Sequence, residues 1–363
     1  MKIQSLNEMF ALILLIAFPL IILTSCAADS ESDTDRGTVA DNDDDDDDND
    51  DDDASLYNVL ERENLGGQYE DDPGADVDDY LDFIQQAAEY ADPISQDEIW
   101  QQMNEIDAGN VDLVGEQLSA DDLRNTIAET LNIEFLLNGI NKRLLVVTTI
   151  AIDETDAYVQ RHLLFEDPWV GVFEGYLLTP KGDGPFPGVV AIHGHFDDAA
   201  VYRDDYHGYE YPAHGFAILM LTMRAMDCDQ NESDISLALL TNGFTLMGLR
   251  VYETLLGVKY LRYLPAVPTE RIGLIGHSGG SAASNLTVRL DAEIGAYVSD
   301  LDSDYAEWWP ELDFIHCETI PELYPYHEHV NDYSTSATPI LSVPYGYENG
   351  MAEIFSFFEQ TLH

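Results

Sequence analysis

Ile272-Gly273-Leu274-Ile275-Gly276-His277-Ser278-Gly279-Gly280-Ser281-Ala282-Ala283-Ser284 is the stretch that decides the fold. Its first four residues form an apolar run of the kind buried on both faces in a parallel sheet. Its last four are small and can start a helix tightly against that strand. Between them stands Gly-x-Ser-x-Gly, and strand, turn and helix together make that pattern a nucleophile elbow, with the serine lifted above the sheet. Strand and helix nearly touch two residues before and two after the serine, and Gly276 and Gly280 supply the small residues needed there. Without such flanks the same five letters would be a glycine-rich turn that contains a serine by chance.

Outward from the elbow, the chain alternates between periods of two and of about four. Leu144 to Ile152, Ala157 to Leu164 and Val170 to Leu178 read as strands, and so do Gly188 to Ile192, Phe216 to Leu221, Ala296 to Ser299 and Ile340 to Val343. Thr245 to Leu264 carries an apolar helical stripe, and Met351 to Leu362 reads as a closing helix. Strands alternating with helices imply right-handed crossovers, so the expected class is α/β with a mostly parallel, doubly wound sheet. The site then belongs at the C-terminal strand ends.

The region before the sheet divides by composition. Residues 1–26 read as an export signal: Lys2 precedes an apolar run from Phe10 to Leu23 that is too short for a membrane span. Leu23-Thr24-Ser25-Cys26 has the form of a lipobox, so Cys26 is the expected lipidation site and the membrane an expected partner through that anchor. Residues 27–54 hold fifteen acids against Arg36 and read as an extended tether, with weak calcium binding the less favoured alternative. Residues 55–140 read as a helical extension, either a lid or, preferably, a segment with no catalytic part. Ser95-x-x-Glu98 and Ser119-x-x-Asp122 form capping boxes, and Leu123, Ile127 and Leu131 share one helical face. Residues 141–363 complete the chain as the α/β domain.

The net charge is −55, of which −41 falls on residues 55–363. A field of that sign excludes nucleic acid and anionic lipid headgroups as partners.

From about Tyr158 onward the chain resembles the α/β-hydrolase superfamily, most closely its dienelactone-hydrolase and acetyl-xylan-esterase-like branch. The resemblance rests on Gly175-Tyr176-Leu177-Leu178-Thr179-Pro180, on Pro185-Phe186-Pro187-Gly188 leading into His193-Gly194-His195, on Pro268-Thr269-Glu270-Arg271-Ile272-Gly273, and on the elbow. It implies an α/β-hydrolase fold that cleaves a small carboxylic ester through an acyl-enzyme, without cofactor or metal. Ser278 is then the nucleophile, and the Gly279 and His195 backbone N–H groups form the oxyanion hole, with the His193 and His195 side chains as braces.

The His–acid pair is less direct. His329, with Glu348 to orient it, is the expected base if Ile340 to Val343 is the family's seventh strand. If it is the eighth, the acid comes from Asp300, Asp302 or Asp304. His327 and His329 otherwise read as a solvated loop, without the third ligand a metal pair would need. Export makes Cys228 and Cys317 a candidate disulfide. Thr222-Met223-Arg224-Ala225 stands where relatives carry Asp-x-Arg-Gly, which keeps open a second reading: the same fold retained as a non-catalytic binding or surface-interaction module.

Overall fold

The structure, a computed structural model, describes residues 56–66, 77–226, 230–300, 315–343 and 347–363, excepting the side chains of Gln230 and residues 347–349. The expected signal, Cys26, the tether, Cys228, Asp302, Asp304 and the Glu348 side chain lie outside the described residues.

The strands are β1 (Val59–Glu63), β2 (Leu145–Glu154), β3 (Tyr158–Asp167), β4 (Gly171–Pro180), β5 (Gly188–Ile192), β6 (Ala217–Leu221), β7 (Ile272–Gly276), β8 (Ala296–Ser299) and β9 (Ile340–Ser342). They form one sheet in the order β1-β2-β3-β4-β6-β5-β7-β8-β9. The run from β6 through β5, β7 and β8 to β9 is parallel, whereas β2, β3, β4 and β6 pair antiparallel. The parallel half is the one that carries the elbow. β5, β6 and β7 are buried at every residue, because helices cover both faces, and their apolar runs follow from that.

The main helices are α1 (Gln96–Asp107), α2 (Ala120–Thr130), α3 (Ala199–Asp205), α4 (Gln230–Thr241), α5 (Leu246–Tyr263), α6 (Gly279–Leu290), α7 (His327–Asn331) and α8 (Tyr347–Leu362). Side-chain alternation assigns them to the two faces. Val190, Ile192, Leu219 and Leu274 share a core with α5, α6 and the N-terminal extension. Val189, Ala191, Ile218, Met220 and Ile275 share another with α3 and α8.

One expectation about the N-terminal extension changes. It is not wholly helical: Val59–Glu63 pairs in parallel with β2, beginning with Val59 opposite Leu145. Four of those five residues are exposed, so no apolar period announces the strand. The helical part packs with the sheet, since Leu123, Ile127 and Leu131 lie in the same core as β5 and α5. The Ser95 capping box forms in full, and the Ser119 hydroxyl accepts the Asp122 N–H at 3.1 Å.

The extension also explains why α5 can be buried on all sides although it holds four charges. Lys259 Nζ donates to the Ile140 and Arg143 carbonyls at 2.9 and 2.6 Å, and burial pulls its pKa down to about 8. Arg262 pairs with Asp291, Glu253 with Arg224, and Arg250 with Glu232.

Candidate active site

Ser278 sits at φ +49°, between the end of β7 and the start of α6. A left-handed serine is strained, and the packing around it holds it in place. A side chain at Gly276 would collide with the Gly280 backbone, and one at Gly280 with the carbonyls of His193 and Ile192. Both glycines are therefore fixed by close approach, as the motif requires.

Asp300, directly after β8, braces the turn from below. Its Oδ1 accepts the Ser278 N–H at 2.9 Å and lies 2.8 Å from the Ser281 hydroxyl, while Oδ2 pairs with His277 Nδ1. Asp300 is thus committed to the elbow backbone and to His277.

The loop after β5 lies against Ser278. A Cβ on Gly194 would stand 2.8 Å from His277 Cδ2 and 3.1 Å from the Ser278 Cβ, so a side chain there would have to push the elbow aside. Among the described residues, neither the Gly279 N–H nor the His195 N–H donates to a protein acceptor, as an oxyanion hole requires. His193 is the brace expected of it. Its Nδ1 lies 2.7 Å from the Gly194 carbonyl, its Nε2 accepts the Met223 N–H at 2.9 Å, and burial drives its pKa down to about 4. The ring is neutral and fully used.

His195 does more than its sequence position suggested. Its ring lies over Gly279, where an added Cβ would come within 2.7 Å of Nδ1. Its Nε2 lies 3.3 Å from Glu232 Oε1 and 3.4 Å from Cys317 Sγ. The Glu232 side chain is fully buried in α4. Burial works against its charge, but hydrogen bonding to His195 and the Arg250 guanidinium prevail and hold its carboxyl at about 2. An ionised carboxylate only accepts, so Nε2 carries a proton toward Glu232, while Nδ1 lies on the Gly279 side of the ring. Arg250 Nη2 is 3.4 Å from the same oxygen and 2.6 Å from the Ala225 carbonyl. Arg224, at the departure from the family's Asp-x-Arg-Gly, turns inward to Glu253 and to the Val170 carbonyl at 2.9 Å.

Three expected site residues fall elsewhere. His329 is not at the elbow: its Nε2 lies 2.6 Å from the Val114 carbonyl. Its helix α7 packs against α6 at Asn285 and Arg289, whose side chains reach the Val330 carbonyl, about 10 Å or more along the helix from Ser278. The segment is a short helix rather than a solvated loop, and His327 is buried with Nδ1 2.7 Å from the Tyr324 carbonyl. Cys317 is a free, buried thiol 3.4 Å from His195 Nε2, and its candidate disulfide partner Cys228 lies outside the described residues. Glu232 and the His195 side chain were missed in the sequence. Glu232 had no motif, and His195 had been given a backbone role only.

No family model matches the chain. A curated protein of Bacillus subtilis (strain 168), the candidate hydrolase YtaP, is 24% identical over 168 residues, covering 42% of this chain and 56% of its own. The chain thus spans little more than half the length of that relative. A candidate acetyl xylan esterase from Bacteroides fragilis NCTC 9343 superposes with a TM-score of 0.53 at 14% identity, over 71% of this chain and 78% of that one. The acetyl xylan esterase from Paenibacillus sp. R4 gives 0.50 at 13% identity, over 74% and 100%. Likeness at these identities is likeness of fold, and the fold is that of the α/β hydrolases.

Proposed function

We propose that this protein is an exported, lipid-anchored serine hydrolase that cleaves a small carboxylic ester through an acyl-enzyme on Ser278. The observation that carries the reading is the strained Ser278, braced by Asp300 and facing two unengaged backbone donors. In this reading His195 Nδ1 takes the Ser278 proton as Oγ attacks the ester carbonyl. The Gly279 and His195 N–H groups hold the oxyanion, and the imidazolium, steadied by Glu232, returns the proton to the departing alcohol. Water then enters by the same route in reverse and frees the acid. The esterase names among proteins of like fold support an ester over a peptide, and the Cys26 lipobox supports export and anchoring.

Reaction with a fluorophosphonate probe and turnover of p-nitrophenyl acetate test the chemistry. Both are expected in the wild type, and Ser278→Ala is expected to lose both while keeping its melting temperature. For the anchor, Cys26→Ser is expected to leave the membrane fraction, and its retention there would refute lipidation. One observation favours the second reading, a non-catalytic binding module: among the described residues, no hydrogen bond joins the Ser278 hydroxyl to an imidazole. A wild type that neither turns over the ester nor takes the probe establishes that reading.

A further inference from the structure

Beside the elbow, three side chains converge that the hydrolytic steps do not require as a set. His195 Nε2, Cys317 Sγ and a Glu318 carboxylate oxygen all lie within 4.8 Å of one another. Cys317 and Glu318 are 1% and 5% exposed, so the group is enclosed, with its open side toward His195 and the elbow. The Nε2-to-Sγ distance is 3.4 Å, against about 3.6 Å for two ligands of a tetrahedral zinc with ordinary bond lengths.

Glu318 is buried like Cys317 and supplies the third ligand atom of the group. Local charge agrees. Arg250 faces both Glu232 and Cys317, so two carboxylates and a Cys317 thiolate against one guanidinium leave two negative charges for one divalent ion.

We propose that His195, Cys317 and Glu318 form a binding site for one thiophilic divalent cation of the zinc class, and that filling it switches Ser278 off. Thiolate, imidazole and carboxylate are zinc's ligand types, and three of them leave a fourth position open. The switch follows from the imidazole. A cation on Nε2 displaces the contact with Glu232 and leaves the remaining ring proton on Nδ1, so the lone pair needed by Ser278 is gone. The switch rests on the base assignment given to His195; the site itself does not.

Cobalt(II) titrated into the full-length protein reads the site without any activity assay. A thiolate-to-cobalt charge-transfer band is expected, saturating at one equivalent and displaced by zinc. The Asp-rich segment cannot produce it, since oxygen donors give no such band. Cys317→Ser and Cys317→Ala should both lack the band, and Cys228→Ser should keep it. No band in the wild type, or a band that survives both Cys317 variants, overturns the site. In parallel, one equivalent of zinc should abolish ester turnover in the wild type, a chelator should restore it, and the turnover that Cys317→Ser retains should be the same with and without zinc. A bound ion that leaves wild-type turnover intact overturns the switch. If the metal-free protein takes no fluorophosphonate, the hydrolase reading fails alone, and the cobalt band still decides the site.

Discussion

The two halves of the candidate site are built in opposite ways. The Ser278 half is one continuous stretch, β7, elbow and α6, braced from outside by Asp300. The base half is assembled from points remote in sequence: His195 and Glu232 are 37 residues apart, and His195 and Cys317 are 122 apart. Local geometry dictates which residues can stand in the first half, since glycine alone fits at Gly276 and Gly280. Burial and charge balance dictate the second, where one fully buried carboxylate is held between an imidazole and a guanidinium. A motif can be read when backbone proximity forces it; a charge cluster becomes visible only when the fold brings its members together.

The largest expected effect tests that division of labour. His195→Gln should lower turnover by roughly 10³-fold or more, because groups that act as a unit fail together. Asp300→Asn keeps an oxygen for the Ser278 N–H, so it should cost turnover only about 10-fold, by way of a loosened turn. Glu232→Gln should resemble His195→Gln in turnover and also lower stability, by about 3–5 kcal/mol, because Arg250 is left buried and unpaired. Steady-state kinetics with urea denaturation on the three variants decides this. If Asp300→Asn is the most damaging, the acid belongs to the elbow half and the comparison above is reversed.

The same contrast explains what could be read in the sequence. The parallel strands are found within a few residues, since β5, β6 and β7 are buried on both faces and must be apolar throughout. β1 could not be seen, because an exposed edge strand held by backbone pairing needs no side-chain period. Ser278, Gly279 and the His195 backbone come straight from the motif. His329 answers only the need for a histidine where none stands at the family's position, and the fold spends it on the Val114 carbonyl. Chain order says nothing of which buried carboxylate faces which ring.

Acid titration separates the halves at intermediate size. His193, held at about 4, binds its proton less readily folded than unfolded, where imidazole titrates near 6.5. Between those values the unfolded state carries more protons, so the His193 contribution is complete above about pH 6.5 and lost as pH falls toward 4. Glu232, held at about 2, has its contribution complete above about pH 4.5 and lost as pH falls toward 2. Each loss is about 3 kcal/mol, in two successive windows. Urea unfolding measured from pH 7.5 to 3 should show both, with His193→Gln flattening the upper and Glu232→Gln the lower. A single loss confined below pH 4.5 would mean that His193 is not held neutral.

The smallest effect falls far from the site, in the extension. Ser119 caps α2 by accepting the Asp122 N–H, and Leu123 and Ile127 of that helix enter the main core. Ser119→Ala leaves one helix-end donor without its acceptor and should cost about 1 kcal/mol. Because the extension shares a core with α5 rather than folding apart, that loss should appear in the single main unfolding transition and not as a separate early step. Ester turnover below the transition should not change, since Ser119 is exposed and α2, although it packs on α6, supplies none of the proposed catalytic groups. An early transition confined to the variant would make the extension an independent unit, and a fall in turnover at full folding would make it part of the site.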